Sequence, residues 1–159
     1  MANLIYLTLT GLQQGLMSAG CCSLDSIGNK AQIAHLDQIM VYGFSHSITR
    51  VENAVHHPVI ITKPVDKSTP LLGKAISENE ILNCDFDTYR INRFGINELY
   101  LKIKLTKARI TDYHLVLPNN LLDNKEQPQE AISLSYETIT WENVPAGTSA
   151  YSLWNDRVL

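Results

Sequence analysis

The stretch ELYLKIKLT at residues 98–106 alternates apolar and polar side chains with a period of two. Three leucines and an isoleucine fall on one face of an extended chain, and tyrosine, two lysines and threonine fall on the other. Such alternation is typical of a β-strand that has one buried face and one solvated face. The stretch therefore predicts a sheet that covers a core on one side and meets water on the other.

The same period recurs along the chain and predicts a mainly β fold. It is present at residues 4–9 and 132–136. Further segments rich in Ile, Val, Tyr and Phe predict strands at 36–46, 59–62, 81–89 and 110–117. Between Tyr136 and Ile139 the apolar phase shifts by one residue, as a β-bulge would produce. About eight strands with one helix predict a β-barrel or sandwich with a flanking helix, in one domain over 1–159.

One segment, STPLLGKAISEN at 68–79, has the spacing of a helix instead. Its apolar residues lie at positions i, i+1, i+4 and i+5, which form a single stripe. The predicted docking residues of this helix are Leu71, Leu72, Ala75 and Ile76. The stripe predicts that the helix packs against a sheet.

The ends of this helix carry ordinary start signals. Ser68 or Thr69 is expected to cap the first amides, and Pro70 stands in the first turn, where its missing N–H costs nothing. Gly73 weakens a helix by about 1 kcal/mol relative to alanine. The helix is therefore expected to depend on its docking for stability.

Composition excludes several classes of function. The formal net charge is −3, and the 13 lysines and arginines form no basic stripe, so nucleic-acid binding is not expected. No apolar run approaches the roughly 18–20 residues of a membrane span, and the N-terminus lacks the pattern of a signal peptide, so membrane insertion is not expected. Three cysteines, two of them adjacent, fit synthesis in a reducing cytosol rather than a disulfide framework.

Cysteine and histidine offer two chemical hypotheses. Cys21 or Cys22 with His35 and an aspartate would make a thiol hydrolase, but no helix start or basic cluster predicts an activated thiol. Cys84 has no assigned role. A metal site could use His46 with the adjacent pair at 56–57. Adjacent side chains of an extended chain point apart, however, so both histidines of the pair cannot easily bind one ion. No metal and no cofactor is predicted.

An acidic pair offers the third hypothesis. Asp85 and Asp87 stand two apart on a predicted strand and share a face, as the paired carboxylates of a glycosidase would. A solvated face, or neutralisation by Arg90 or Arg93, is the more common arrangement. Phosphate-binding loops and nucleophile elbows are absent from the sequence. No catalytic residue is predicted, and the chain is not expected to be an enzyme.

Several segments together resemble one family. The segments, in chain order, are SIGNKAQIAHLDQIMVYGFSHSITR (26–50), TKPVDKSTPLL (62–72), YRI (89–91), ELYLKIKLTKARIT (98–111) and ISLSYETITW (132–141). They resemble the Hcp (haemolysin-coregulated protein) family of the type VI secretion system over essentially the whole chain. Members often read SSP where this chain has STP at 68–70, a change that a threonine cap tolerates.

The resemblance implies a fold, an assembly and a set of partners. The implied fold is two β-sheets closed into a barrel with one α-helix on its side. The implied assembly is a hexameric ring that stacks into the inner tube of the secretion system. The implied partners are further copies of the chain, a VgrG spike, contractile sheath proteins and small effectors held in the ring lumen. The implied location is the bacterial cytoplasm, followed by export through the same system.

The resemblance also suggests which surfaces matter. On strand 36–46 a bulky set, Met40, Tyr42 and Phe44, is expected to face the core. The small set on the opposite face, Val41, Gly43 and Ser45, is the candidate lumen wall, and Ser45 falls where the family places a cargo-contacting residue. The candidate ring-stacking loop comprises Ser47, Ile48, Thr49, Arg50, Val51, Glu52, Asn53, Ala54, Val55, His56, His57 and Pro58.

Two other classes of function remain as alternatives. A small cytosolic hydrolase would use Cys21 or the acidic pair at 85 and 87. A ligand-binding β-barrel would show a concave pocket, whereas a tube subunit would form a ring with an open channel.

Overall fold

A computed structural model describes residues 3–122 and 125–155 of the chain. Within these residues the strands are β1 (Leu4–Gly11), β2 (Gly15–Leu16), β3 (Ile39–Val41), β4 (Gly43–Ser45), β5 (Ile48–Arg50), β6 (Ala54–His56), β7 (Val59–Pro64), β8 (Leu82–Ile91), β9 (Asn97–Val116), β10 (Gln129–Ser135), β11 (Thr138–Asn143) and β12 (Thr148–Leu153). The helices are α1 (Leu24–Ile27) and α2 (Thr69–Ser77), with short 3₁₀ turns at Gly28–Lys30 and Ile33–His35. The fold is mainly β, as predicted.

The 20-residue strand β9 is the spine of the fold. Its first half pairs with β8 and β11, and its second half pairs with β10. Between Leu105 and Ala108, two residues of β9 oppose the single Asn83 of β8, and Lys107 adopts a φ of 51°. This bulge shifts the buried set from Ile103 and Leu105 to Ala108 and Ile110, so one strand serves two neighbouring groups of strands.

All pairings are antiparallel, and the main path runs in the order β2-β1-β8-β9-β10-β7-β4. Strand β3 also pairs with β1, and β12 pairs with β11 at the side of β9. The hydrogen-bonded path is open between β2 and β4, so the predicted closure into a barrel is not confirmed. The phase shift predicted as a bulge after Tyr136 is instead the break between β10 and β11, which pair with different halves of β9.

The helices correct two predictions. One helix was predicted, but α1 and two 3₁₀ turns precede β3, so α2 is not the only helix in the described residues. Neither Ser68 nor Thr69 caps α2 with its side chain, because the Ser68 hydroxyl donates to Asp66 and the Thr69 hydroxyl donates to Glu130. In the described part of the chain, no helix is long and apolar enough to traverse a bilayer.

Helix α2 covers the core that the strands leave open. Leu72 and Ala75 are 2% and 1% exposed, and Leu71 and Ile76 pack partly against the same apolar cluster. That cluster includes the inward residues of β1, β7, β8, β9 and β10. The helix that Gly73 weakens is thus held by burial of its stripe.

Candidate assembly surfaces

The segment proposed for ring stacking is a β-hairpin. Strands β5 and β6 pair as Ile48↔His56, Thr49↔Val55 and Arg50↔Ala54, and they form a two-stranded sheet of their own. Val51 at its tip is 92% exposed. Because a two-stranded hairpin is marginally stable by itself, contacts at its base must hold it in place.

Two histidines at the hairpin base share one hydroxyl group. Nε2 of His46 and Nδ1 of His56 each lie 2.7 Å from the Tyr136 hydroxyl oxygen. Nε2 of His56 also lies 3.0 Å from the Ser152 hydroxyl of β12, and its ring stacks on Trp154. These contacts connect the hairpin to Tyr136, which follows β10, and to β12.

The electrostatics of the base keep both imidazoles neutral at neutral pH. Burial lowers the pKa of His46 below its ordinary value, and the nearby His56 and His57 lower it further. Burial, followed by His57, likewise lowers the pKa of His56. Burial raises the pKa of the Tyr136 phenol to about 12, so its hydroxyl keeps its proton. A protonated hydroxyl and at least one neutral ring are what a chain of hydrogen bonds through Tyr136 requires.

The structure separates the three histidines considered for a metal site. His46 and His56 meet on Tyr136, whereas Nε2 of His57 lies 3.1 Å from the Thr49 hydroxyl. Among residues 3–122 and 125–155, no group of three His, Cys, Asp or Glu side chains is placed to hold a metal ion.

The faces predicted for strand 36–46 are partly wrong. Val41 is buried at 5% exposure in the core beside β1, and it cannot line an open lumen. Tyr42, expected in the core, is 44% exposed. At Tyr42 the chain stops pairing with β1 and begins to pair with β7. The alternation of inward and outward side chains shifts by one residue there, so Phe44 points inward and packs edge-to-face on Phe86. The predicted faces require unbroken alternation over residues 36–46, and the break at Tyr42 interrupts that alternation.

Gly43 and Ser45 do lie on an outer sheet face, with neighbours that sequence reasoning missed. Ser45 pairs with Ile60 of β7, and Ile60 pairs with Ser133 of β10. Ser45 is exposed, Ser133 is half-buried, and Ile60 is 46% exposed. A Cβ at Gly43 would stand 2.9 Å from the Thr62 hydroxyl, so glycine permits this close approach. The face is built of small side chains around one isoleucine.

The acidic pair meets lysines rather than arginines. In the register of β8 and β9, Asp85 stands opposite Lys104 and Asp87 stands opposite Lys102. Gln38 also donates a hydrogen bond of 3.2 Å to Asp87. The arginines named in the sequence analysis are engaged elsewhere: Arg90 pairs with Glu98, and Arg93 lies over the Phe94 ring.

The environment of the cysteines works against a thiol nucleophile. Cys21, Cys22 and Cys84 are free and buried. Burial raises the pKa of Cys21 to about 12 and raises those of the other two, which disfavours the reactive thiolate. His35 stacks on Tyr6 at 3.7 Å between ring centroids, with Nδ1 2.6 Å from the Gln38 side-chain oxygen.

A buried ionic cluster lies beneath α2. Nζ of Lys63 donates to Asp66 at 3.0 Å and to Glu130 at 3.2 Å, and all three side chains are fully buried. Lys63 also donates to the Pro64 carbonyl. Sequence reasoning missed this cluster, although the signal was present: Lys63 is in phase with buried Ile61, and Glu130 is in phase with buried Ile132.

Comparison with known proteins identifies the family. The family model described as "Type VI secretion system effector, Hcp" matches residues 6–143. The chain belongs to the Hcp family. This match takes in both the hairpin and the face around Ser45.

Individual relatives are similar to the chain over most of its length. The chain is 34% identical to the "Major exported protein" of Pseudomonas aeruginosa, with 99% of each chain covered. It is 35% identical to the solved "Secreted protein Hcp3" of the same species, with a TM-score of 0.89 and coverage of 98% and 100%. It is 40% identical to the "Uncharacterized protein YhhZ" of Escherichia coli over 93% of this chain, and it spans 37% of the length of that relative.

Proposed function

We propose that this chain is a structural subunit of the type VI secretion inner tube and not an enzyme. The whole chain acts as one tube domain, six copies form a ring, and rings stack into a tube that sheath contraction expels. The observation that carries this proposal is the Hcp family match over residues 6–143. The proposed partners are the VgrG spike, the sheath and small effectors in the lumen. The subunit is made in the bacterial cytoplasm and then exported through the type VI system.

The strand edges support ring formation. In the described residues β12 pairs only with β11, so its other edge is free, and Tyr151 on this strand is 71% exposed. A free edge with an exposed aromatic residue is a liability in a monomer. In a ring, one patch of each subunit meets a different patch of the next, and such edges become covered.

The barrel closure implied by the family belongs to the same proposal. Strand β3 pairs with β1, and β4 pairs with β7. Only Tyr42 separates these two strands, and its amide donates to the Thr62 carbonyl at 2.7 Å. We infer that segment 39–45 bridges the two ends of the path and completes the barrel.

Light scattering coupled to size-exclusion chromatography tests the assembly. The expected particle has six times the chain's mass of 17.8 kDa, or a multiple of that ring mass where rings have stacked. A stable monomer at micromolar concentration would contradict the proposed function.

The hairpin provides the proposed contact between rings. Changing Val51 and Ala54 to glutamate is expected to leave single rings intact and to abolish tubes, because like charges would be desolvated at every ring-to-ring contact. Electron microscopy distinguishes rings from tubes, and secretion is measured in parallel. The neutral variant Val51→Thr with Ala54→Ser is the matched control. Tubes of normal length in the glutamate variant would show that this hairpin is not the stacking element.

The small-residue face around Ser45 is the proposed cargo surface. Ser45→Gln would place six larger, uncharged side chains on this face, and weak contacts with an enclosed protein would change at six positions at once. We expect normal rings and tube export, with the loss of at least one co-purifying effector in a pull-down. Ser77→Gln, at an exposed position of α2 away from the hairpin, is the control. Dissociated rings would instead place Ser45 in a subunit interface, and unchanged effector levels would exclude it from the cargo surface.

A further inference from the structure

The base of the hairpin contains a hydrogen-bond chain with a fixed number of protons. The Tyr136 hydroxyl has one proton, and an imidazole nitrogen lies 2.7 Å from its oxygen on either side. One imidazole accepts the hydroxyl proton, so the other must donate its own N–H to the hydroxyl oxygen. Both contacts are satisfied while at least one of the two rings is neutral.

A second proton breaks this arrangement. When His46 and His56 are both cationic, both rings are donors only, and the hydroxyl proton of Tyr136 has no ring nitrogen to accept it. Two like charges would then stand on opposite sides of one hydroxyl group in a partly buried site, which is unfavourable. The cluster therefore accommodates one added proton and not two.

Among the described residues, neither imidazole forms an ion pair with a carboxylate that would compensate the second charge. His46 packs against Tyr136 and Trp141, and His56 packs against Tyr136, Trp154 and the Ser152 hydroxyl. His57 on the hairpin acts on both rings, and because its charge has the same sign as theirs, it lowers the pKa of each.

Glu137 follows Tyr136 in the chain. Its carboxylate lies 3.5 Å from the Lys107 ammonium group, so it is already engaged with a cation of its own.

We propose that the His46–Tyr136–His56 cluster is a pH-sensitive latch, which holds the hairpin at residues 47–57 at neutral pH and releases it when both imidazoles are protonated. The hairpin has no other sheet to join, since β5 and β6 pair only with each other in the described residues. Loss of the contacts at its base would leave a two-stranded unit that is marginal by itself. Release is thus a local event that leaves the main sheet intact.

The direction of the pH dependence follows from linkage. Both histidines have a lowered pKa in the docked state relative to the ordinary value of 6.5, so the docked hairpin binds fewer protons than the released one. Docking is then fully stable above about pH 6.5 and is lost as the pH falls through the lowered values. The latch does not depend on ring stacking, although an acid-labile tube would follow if both proposals hold.

Amide hydrogen exchange tests the latch on the protein as it assembles. Exchange of residues 47–57 is compared at pH 7.5 and pH 5.0 after correction for the intrinsic rates. We expect about tenfold faster corrected exchange in the hairpin at pH 5.0, a change that corresponds to docking weakened by about 1.4 kcal/mol. Amides of β8 and β9 should keep their protection. Equal hairpin protection at both pH values, or loss of protection throughout the chain, would overturn the proposal.

Intrinsic fluorescence gives a second readout, because the two tryptophans of the chain are Trp141 and Trp154 and each lies beside one of these imidazoles. The emission of the native protein should titrate below pH 6.5 together with the exchange.

Three variants separate the latch from a merely structural contact. His46→Gln keeps an amide that can donate to or accept from Tyr136 but cannot be protonated, so its hairpin should stay docked at pH 5.0. Tyr136→Phe removes the shared hydroxyl, so its hairpin should already be loose at pH 7.5. His114→Gln removes an exposed imidazole on β9 that takes no part in the cluster, and this variant should respond to acid like the native chain. A His46→Gln hairpin that loosens as much as the native one would rule out the two-proton mechanism.

Discussion

Replacing Leu72 with aspartate is expected to lower the free energy of unfolding by about 4 kcal/mol. Leu72 is 2% exposed and lies in the core with Leu7, Ile61 and Leu134. The substitution removes apolar contacts and buries a carboxylate. Lys63 borders the same part of the core, but it already contacts two carboxylates. A third negative charge there would therefore remain uncompensated.

The matched control is Ser77→Asp, which adds the same charge at an exposed position of α2. It is expected to cost less than about 1 kcal/mol, mainly through repulsion from the C-terminal end of the helix. Urea unfolding of both variants at one protein concentration measures the difference, since assembly contributes to apparent stability. Soluble, normally assembled Leu72→Asp protein would show that the stripe of α2 does not carry the docking of the helix.

The sequence predicted the strands wherever one period held over a whole element. Residues 98–106 lie in the first half of β9 with the expected faces, because Ile103 and Leu105 turn into the core while the lysines at 102 and 104 point outward. The stripe of α2 was visible for the same reason. In both cases a local repeat is enough to determine which side chains become buried.

The prediction of side-chain faces failed where one predicted strand pairs with two different strands along its length. Strand 36–46 was treated as uniform, but the break at Tyr42 moves the chain from β1 to β7 and turns Val41 inward. The neighbours of Ser45, namely Ile60 and Ser133, come from other strands and are set by register alone. A single sequence contains no direct signal for the register of distant strands, so this surface could be only partly predicted.

The polar clusters were missed because they bring together residues far apart in sequence. His46, His56 and Tyr136 meet over separations of 80 to 90 residues. The two histidines alone suggest a metal site, and the residue that joins them lies on a distant part of the chain. Thr69, expected to cap α2, is drawn instead to the buried Glu130. Tertiary contacts override local capping preferences where a buried carboxylate needs donors.

The buried ionic cluster leads to the second large expected effect. Lys63→Met is expected to lower the free energy of unfolding by about 3–5 kcal/mol. Methionine fills similar space, so packing changes little, but the carboxylates of Asp66 and Glu130 lose their shared cation in a fully buried site. Glu130 is also the direct cross-strand partner of Lys63 between β10 and β7. The loss therefore weakens the attachment of the loop before α2 to this strand pair.

Two further variants test whether charge is the cause of that loss. Lys67→Met removes an exposed lysine from the same loop and should change stability by less than about 0.5 kcal/mol. Combining Lys63→Met with Asp66→Asn and Glu130→Gln removes both uncompensated charges, and the amide oxygen introduced by Asp66→Asn can still accept the hydrogen bond that the Ser68 backbone N–H donates to Asp66 at 2.9 Å. The triple variant should therefore recover much of the stability that the single variant loses, because buried carboxylates are costly mainly when they are unpaired. Urea unfolding at matched concentration measures all three. If Lys63→Met matches Lys67→Met, the cluster does not stabilise the fold, and if the triple variant recovers nothing, the cost lies in packing rather than charge.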